Sequence, residues 1–387
     1  MKPKRLIVLS IFGTRPEVIK VFPVLRKMQR NPLFKNIIVS TTQHREMIED
    51  LFTLFSIKPD YNLNIIQKNQ SLMDITMRAL AGLDPILRQH RPDLVLVQGD
   101  TTTAFIGALA AFYNKTPVGH IEAGLRSFDK MQPYPEEINR RLISLICDFH
   151  FAPTVHNYEH LCREGINPDK ILITGNTVID SLLYIASRNR QTLKKYVSPE
   201  VLNAGRLILV TAHRRENWGR PIENLCYALS DIAKSYLDVQ IIYPVHLNPN
   251  VRKTVLQILA KKERICLLNP LPYEPFVEAM AKSYFIITDS GGIQEEGPSF
   301  HKPILVFRKV TERPEGLTMG AVRLVGQERQ HLVQEASRLL EDSAAYKKMI
   351  VTHNPYGDGN AAERIVQAIL YYFNMGNRPE DFKCENL

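Results

Sequence analysis

DSGGIQEE, at Asp289–Glu296, directly follows the apolar run YFIIT at Tyr284–Thr288. That run is short and rich in aromatic and β-branched residues, so it predicts a buried β-strand. Ser290 stands at the N-cap position of a following helix, and two glycines let the backbone approach a ligand closely. The N–H groups of a helix start favour an anion, and the two glutamates can accept hydrogen bonds from sugar hydroxyls. The stretch therefore predicts a site for a phosphorylated sugar or nucleotide, with an ordinary glycine-containing turn as the alternative.

Similar strand-sized apolar runs alternate with helical patterns along nearly the whole chain. Continuous apolar strands separated by helices indicate parallel sheets that are covered on both faces. The fold class predicted is α/β, with two Rossmann-like doubly wound parallel-sheet domains. Strands are expected at Leu6–Phe12, Ile37–Thr41, Leu94–Val97, Val118–Ile121, Phe149–Ala152, Ile171–Thr174, Leu207–Thr211, Ile241–Val245, Ile265–Leu268, Tyr284–Thr288, Ile304–Phe307 and Val322–Val325.

A polar stretch at 187–205 predicts the boundary between the two domains. The N-terminal domain is expected at 1–187 and the C-terminal, nucleotide-binding domain at 205–360. The last long helical pattern, Ala361–Tyr372 within the segment 361–387, is expected to pack back on the first domain.

Composition excludes several classes of protein. Apolar runs are strand-sized, which argues against membrane insertion, and five scattered cysteines indicate neither a disulfide framework nor a metal site. A reducing cytoplasm suits such a chain. The net charge of +9 favours anionic partners, but the basic residues are dispersed, which argues against nucleic acid. The pairs Arg140-Arg141 and Lys261-Lys262 are expected on solvated helix faces.

Polar clusters recur where predicted strands end, which is where open parallel sheets bind ligands. After the first strand, Thr14 and Glu17 have capping-box spacing, which leaves Arg15 and Lys20 available to a diphosphate. After the third strand listed comes Asp100, whose default role is to cap the next helix.

Further along the chain, a second set of polar residues follows strand ends. Glu122 ends an otherwise apolar strand, where an unpaired buried carboxylate would be costly. Glu136 and Glu137 open a helix, and Glu137 is placed to pair with Arg141. His213, followed by two arginines, indicates an anion clamp with a titratable member.

Two residues of the second half have open assignments. Arg313 either adds a cation to a diphosphate site or forms a salt bridge within its loop. Phe276 either contacts a base or belongs to the core of its helix.

As an ordered set, these motifs closely resemble those of the bacterial non-hydrolysing UDP-N-acetylglucosamine 2-epimerases. The resemblance extends from about Leu6 to Tyr372. The motifs that carry it are Gly13–Lys20, Gln43–Met47, Gly99–Thr103, His120–Arg126, Pro135–Glu137, Thr174–Asp180, His213–Asn217, Asp289–Glu296, Thr311–Glu315 and Asn354–Gly359.

The resemblance implies two domains of glycosyltransferase-B type with the active site in the cleft between them. It implies reversible conversion of UDP-GlcNAc to UDP-ManNAc through a 2-acetamidoglucal and free UDP, without a cofactor or metal, in a homodimer that supplies cell-surface polysaccharide. The lack of a Gly-x-Gly-x-x-Gly motif after the first strand agrees with the absence of a nicotinamide cofactor. The implied catalytic residues are Asp100, Glu122, Glu136 and His213, and the implied substrate contacts are Arg15, Lys20, Phe276, Ser290, Gly291, Gly292, Glu296 and Arg313.

Some family members also bind a second UDP-GlcNAc as an activator, through positions matching Gln43, Arg214 and His246. Such members carry Gln and Arg where this chain has Glu46 and Asn69, so activation by substrate is not expected here. The competing functions are a hydrolysing epimerase that releases ManNAc and UDP, a UDP-sugar glycosyltransferase of the same architecture, and a nucleic-acid-binding protein.

Overall fold

The computed structural model of the 387-residue chain describes residues 5–41, 45–65, 67, 70–203 and 205–384, with the backbone alone at 45–47. These residues form two compact units. The first runs to Ser181 and includes Tyr356–Lys383, and the second comprises Leu182–Pro355.

The first half of the chain alternates strands and helices. Its elements are β1 (Leu6–Phe12), α1 (Arg15–Arg30), β2 (Phe34–Ser40), α2 (Arg45–Phe55), β3 (Tyr61–Asn62), α3 (Leu72–His90), β4 (Leu94–Gln98), α4 (Thr102–Tyr113), β5 (Val118–Ile121), α5 (Glu136–Ile146), β6 (Phe149–Ala152), α6 (Val155–Arg163), β7 (Ile171–Ile173) and α7 (Thr177–Ser187).

The second half continues the alternation. Its elements are α8 (Pro199–Leu202), β8 (Arg206–Thr211), α9 (Arg220–Ser235), β9 (Val239–Pro244), α10 (Pro249–Leu259), β10 (Ile265–Leu268), α11 (Tyr273–Lys282), β11 (Phe285–Thr288), α12 (Gly291–Glu296), β12 (Ile304–Val306), α13 (Pro314–Thr318), β13 (Val322–Leu324), α14 (Arg329–Glu341), α15 (Ser343–Lys348) and α16 (Ala361–Tyr372).

The first unit is built on a seven-stranded sheet in the order β3-β2-β1-β4-β5-β6-β7. All of its strand pairs are parallel. Helices α3, α4 and α5 pack side by side, and α1 contacts α2 and α16. The core between β1, β4 and the α3–α4 pair includes fully buried Leu9, Leu83, Val95 and Val97. The strand order reverses between β1 and β4, which is the switch point where doubly wound sheets bind ligands.

The second unit repeats this topology with six parallel strands in the order β10-β9-β8-β11-β12-β13. Its core is filled by the apolar faces of α9, α10 and α14, with Leu229, Val255 and Leu332 completely buried. The strand order reverses between β8 and β11, which creates a second switch point.

The predicted doubly wound α/β class is confirmed, and each predicted strand is present with ends that differ by at most a few residues. The two-residue strand β3 was not predicted, because two residues are too few to show an alternating pattern. The polar stretch 187–205 holds the short helix α8 and buries Leu193 and Val197. Helix α16 lies against α1 within the first unit.

Two features are not found in the described part of the chain. None of the helices there is both long and apolar enough to cross a bilayer. In the same ranges, His, Cys, Asp and Glu side chains do not gather in threes or more as metal ligands would.

Gly124, in the loop after β5, and Gly165, which follows α6, have nearly the same backbone conformation but different packing around them. Gly124 has φ +88°, and a Cβ there would lie 2.2 Å from the carbonyl oxygen of Asn157, whereas Gly165 has φ +86° with open space around it. We expect Gly165→Ala to cost about 1 kcal/mol of backbone strain, and Gly124→Ala to cost about 1–3 kcal/mol more through overpacking.

Urea unfolding followed by circular dichroism measures both variants. Equal losses of stability would contradict the described contact between Gly124 and Asn157.

Candidate active site

In the first unit, the turn that follows β1 is held by a buried carboxylate. Glu17 is 1% exposed and accepts hydrogen bonds from the backbone N–H groups of Gly13 (3.0 Å) and Thr14 (2.7 Å) and from the Thr101 hydroxyl (2.7 Å). The predicted capping box between Thr14 and Glu17 is confirmed. Burial raises the pKa of Glu17, although these hydrogen bonds act to lower it. Arg15 is thereby fixed as the first residue of α1, at the switch point.

Among the described residues, three side chains donate to Glu122, which follows β5. Its carboxylate accepts hydrogen bonds from the Lys20 ammonium, the Gln98 amide and, at 3.3 Å, the Asn176 amide. Its backbone is left-handed, with φ +67°, a conformation that non-glycine residues adopt only where their surroundings impose it. Lys20, which was predicted to contact a diphosphate, thus forms an ion pair with Glu122, a predicted acid/base residue. Glu122 Oε2 also lies 3.5 Å from where a Cβ on Gly99 would stand.

Asp100, which follows β4, forms an ion pair with Arg140 of α5. Its main-chain oxygen accepts a hydrogen bond of 2.9 Å from Asn139. The N-cap of α4 is Thr101, so the default expectation that Asp100 caps this helix is wrong. The expectation that Arg140 is solvated is also wrong: it is 6% exposed and bridges Asp100 and Glu137.

The start of α5 carries two glutamates with different surroundings. Glu137 is fully buried and accepts hydrogen bonds from the backbone of Ser127 (2.9 Å) and from Arg141 (3.0 Å), which confirms the predicted pairing with Arg141. Glu136 has a buried carboxylate oxygen, Oε2, that meets no hydrogen-bonding partner among the described residues. Such an oxygen is costly unless a ligand or a reacting group engages it. The opposite side of α5 is exposed at Leu145.

His120 contacts the backbone of the turn between β4 and α4. The side chain is completely buried, and Nε2 lies 2.7 Å from the Gly99 carbonyl oxygen. Burial lowers the pKa of His120 to about 3, so the imidazole is neutral and donates to that oxygen.

In the second unit, the turn that follows β8 is held by the buried carboxylate of Asp289. Its Oδ2 accepts hydrogen bonds of 2.8 Å from the backbone of His213, the backbone of Arg214 and the Asn217 amide. The His213 imidazole is 42% exposed, and its Nδ1 lies 3.5 Å from Asp289 Oδ1. Desolvation lowers the pKa of His213, an effect that Asp289 opposes. Its ring stacks on that of His246, with the two ring centroids 5.5 Å apart.

Three guanidinium groups converge on Glu312. Arg214 and Arg308 donate to its two oxygens at 2.9 and 2.7 Å, and Arg313 lies at 3.5 Å. Burial acts to raise the pKa of Glu312, but the three arginines together lower it to about 2. We call Arg214, Arg308 and Arg313 the cation cluster. Its three positive charges are matched by three carboxylates, because Arg313 also pairs with Glu295 at 2.6 Å and Arg308 with Glu216 at 2.6 Å.

The Ser-Gly-Gly turn after β11 lies against this cation cluster. A Cβ on Gly291 would stand 3.4 Å from the guanidinium carbon of Arg313 and 3.5 Å from a nitrogen of Arg214. Ser290 occupies the predicted N-cap position of α12, although its side chain makes no capping hydrogen bond. Because α12 has only six residues, local N–H groups, more than a long helix dipole, would act on an anion here. Glu296 is 8% exposed, and Phe276 on α11 is half-buried.

The predicted site residues thus form two groups, each within one unit. The first unit holds Arg15, Lys20, Asp100, Glu122 and Glu136, of which Lys20 contacts Glu122. The second unit holds His213, Phe276, Ser290, Gly291, Gly292, Glu296 and Arg313, of which Gly291 lies against Arg313. Of the predicted activator positions, Arg214 and His246 adjoin His213. Gln43 and Asn69 lie outside the described residues, as does the side chain of Glu46.

Several supporting residues were not assigned a role from the sequence. Gln98 and Asn176 both contact Glu122, and Arg140 contacts Asp100. Asn176 lies in a motif that carries the family resemblance, so its membership of that motif was a sequence signal for a functional role. Nothing local distinguished Gln98 or Arg140.

Two doubly wound parallel sheets with charged groups at both switch points are typical of α/β proteins that bind nucleotides or nucleotide sugars. Comparison with known proteins gives a narrower assignment. A family model described as UDP-N-acetylglucosamine 2-epimerase matches residues 26–370. The UDP-N-acetylglucosamine 2-epimerase of Escherichia coli strain K12 is 49% identical over 371 residues, which cover 94% of this chain and 98% of that protein.

Solved structures agree with this assignment. The UDP-GlcNAc 2-epimerase from Neisseria meningitidis, bound to UDP-GlcNAc, is 46% identical with a TM-score of 0.87, and the match covers 95% of this chain and 100% of that one. A protein from S. aureus, in a co-structure with UDP, is 45% identical with a TM-score of 0.89 over 98% of this chain and 100% of that one. The chain belongs to the UDP-N-acetylglucosamine 2-epimerase family, and the predicted resemblance and glycosyltransferase-B-type fold class are confirmed.

The neutral His120 predicts a specific sensitivity to acid. An unfolded chain binds the proton at an ordinary pKa of 6.5, whereas the folded chain resists it until about pH 3. The contribution of His120 to stability is therefore full above pH 6.5 and falls as the pH drops toward 3, by about 2 kcal/mol between pH 6.5 and 5.

Replacing His120 with Gln should remove that part of the pH dependence, as measured by urea unfolding at pH 7.5 and 5. Circular dichroism is the suitable signal, because the single tryptophan, Trp218, lies in the second unit. His156→Gln, at an imidazole that is 46% exposed, is the control and should keep the wild-type dependence. Parallel pH curves for wild type and His120→Gln would contradict the assignment.

Proposed function

We propose that this protein interconverts UDP-GlcNAc and UDP-ManNAc by epimerisation at C2. The observation that carries the proposal is the placement of Asp100 and Glu122 at the carboxyl ends of the neighbouring strands β4 and β5, with Glu136 at the start of the helix that holds Asp100, in a chain that belongs to this family. The Neisseria meningitidis relative binds UDP-GlcNAc and the S. aureus relative binds UDP, which supports the same ligands here.

The chemistry requires the loss of UDP. The hydrogen on C2 is not next to a carbonyl carbon, so direct deprotonation is too slow. Breaking the C1–O bond creates an oxocarbenium-like centre that acidifies C2. Removal of the proton then gives 2-acetamidoglucal and UDP, and re-addition of UDP with protonation on the other face gives the epimer.

Departure of UDP places negative charge on the pyrophosphate, which must be stabilised as it develops. The cation cluster, His213 and the N–H groups of Ser290–Gly292 supply such stabilisation in the second unit. Gly291 contributes by lacking a side chain, because a Cβ there would approach two guanidinium groups of the cluster. Arg15 supplies a further cation from the first unit.

Inversion at C2 requires a base on one face of the sugar ring and an acid on the other. Asp100, Glu122 and Glu136 supply groups able to take either role. Arg140 holds Asp100, Lys20 and two amides hold Glu122, and Glu136 keeps a buried oxygen without a described partner. The three carboxylates therefore have different surroundings.

The remaining parts of the proposal follow the family resemblance. We propose domains at 1–187 and 205–360, no cofactor, and cytoplasmic action as a homodimer that supplies ManNAc-type sugars to cell-surface polysaccharide. Phe276 would contact the uracil base, and Glu296 a sugar hydroxyl. Exclusion of water from the glycal would make the enzyme non-hydrolysing.

Incubation with UDP-GlcNAc in deuterated water tests the reaction. We expect a mixture of UDP-GlcNAc and UDP-ManNAc with deuterium at C2 of both, because the proton is lost to a group that exchanges with solvent. Nuclear magnetic resonance measures the products and their label. Free ManNAc would instead indicate a hydrolysing epimerase, and an unchanged substrate that reacts only with an added acceptor would indicate a glycosyltransferase.

Replacing Glu122 with Gln tests the acid/base assignment. Removing a general acid or base typically lowers turnover about 10²–10⁴-fold. We expect a loss of that size in kcat, with a smaller change in KM for UDP-GlcNAc, measured by the rate of UDP-ManNAc formation. The control is Glu159→Gln, a half-exposed carboxylate on α6, which should leave kcat unchanged. A near-normal kcat for Glu122→Gln would remove Glu122 from the mechanism.

A further inference from the structure

Asn176 lies in the short connection between β7 and α7, and it is 3% exposed. Three of its polar groups have different partners. The side-chain Nδ2 donates to Glu122 Oε1 at 3.3 Å, the side-chain Oδ1 accepts from the Val178 N–H at 3.0 Å, and the backbone N–H donates to the Tyr356 carbonyl at 2.6 Å. The residue therefore joins the start of α7 and the segment before α16 to a proposed catalytic carboxylate.

The position of Asn176 is set by close backbone packing. Gly175 has φ +81°, and a Cβ there would stand 3.2 Å from the Cα of Gly357. A Cβ on Gly357 would in turn stand 3.3 Å from the backbone nitrogen of Asn176. Two residues without side chains thus let the segment at 356–358 press against the Asn176 backbone.

The same segment is anchored again a few residues further on. Asp180 of α7 accepts hydrogen bonds from the backbone of Ala361 (3.3 Å) and Ala362 (2.9 Å) at the start of α16. Arg364 and Asp358 form two hydrogen bonds of 2.8 and 2.7 Å. Asn176 is therefore held from both chain segments, and its amide has little freedom to turn away from Glu122.

Glu122 needs such a fixed donor. Its left-handed backbone makes its orientation depend on its surroundings, and its other described side-chain donors are Lys20 and Gln98. Lys20 has a flexible stem, so it supplies charge more than direction. An amide donor orients the carboxylate without adding positive charge. A further positive charge would lower the basicity of the carboxylate.

We infer that Asn176 is a positioning residue, which orients the Glu122 carboxylate for proton transfer at C2 through its side-chain amide. The inference rests on the proposed function. This positioning role is separate from capping α7, because the side-chain Oδ1 accepts from the helix backbone whereas Nδ2 donates to the Glu122 carboxylate.

Replacement of Asn176 with Asp separates the two roles. Aspartate keeps the oxygen that accepts from Val178 and is as good an N-cap as asparagine, but it places a second carboxylate oxygen against Glu122. We expect kcat at pH 7.5 to fall about 10–100-fold, since misplacement of a reacting group by about 1 Å has this effect, while KM for UDP-GlcNAc stays within about twofold. The acid limb of the kcat–pH profile should move to higher pH, because neighbouring carboxylates raise the pKa of one of the pair.

Two further variants complete the design. Asn176→Ser keeps a capping oxygen but is too short to reach Glu122, so kcat should fall without a shift of the acid limb. Asn167→Asp is the matched control: Asn167 is exposed and accepts from the N–H of Asp169 at 3.0 Å, two residues on, as Asn176 does from Val178. This control should keep the wild-type kcat and pH profile, and all three variants should keep the wild-type circular dichroism spectrum.

The outcomes distinguish this inference from the proposed function. A wild-type enzyme that neither forms UDP-ManNAc nor exchanges the C2 hydrogen overturns the proposed function. An active wild type together with an Asn176→Asp variant of unchanged kcat and pH profile overturns the positioning role alone. If Asn176→Asp proves unfolded, a wild-type kcat in folded Asn176→Ser overturns it equally.

Discussion

A buried carboxylate holds the backbone that leaves the first strand of each sheet in chain order, and the functional groups depend on this constraint. Glu17 accepts from the N–H groups of Gly13 and Thr14 after β1, and Asp289 accepts from those of His213 and Arg214 after β8. A carboxylate is costly to bury unless such donors satisfy it. Because these backbone N–H groups must point at the buried carboxylate, the path of the turn at the switch point is fixed. Arg15 and His213 occupy their positions because those turns are fixed.

The fold could be predicted from the sequence because its signals are local. Each strand is a short apolar run between turn residues, and the alternation with helices implies parallel sheets without any knowledge of contacts. Helix starts were predictable where side chain and backbone meet within four residues, as in the capping box of Thr14 and Glu17. The same local reasoning failed for Asp100, because an acidic residue before a helix is usually its cap, whereas Thr101 has that role here.

The candidate site could be predicted only in part, because its supporting contacts are distant in sequence. Gln98 and Asn176 reach Glu122 across 24 and 54 positions, and Arg140 reaches Asp100 across 40. A pair of adjacent arginines on a helix resembles a solvated face, and only the packing of α5 on the β4 turn shows that Arg140 is buried. The sequence indicated candidate residues in the family motifs, but it did not indicate most of the residues that contact them.

The Lys20–Glu122 pair has a consequence for how the protein responds to ionic strength. Its side chains are only 16% and 8% exposed, whereas those of Arg214 and Glu312 are 32% and 25% exposed. Dissolved ions screen an exposed pair much more than a buried one. Salt therefore weakens the attraction between Arg214 and Glu312 more than that between Lys20 and Glu122, whose charge balance is largely insulated from the electrolyte.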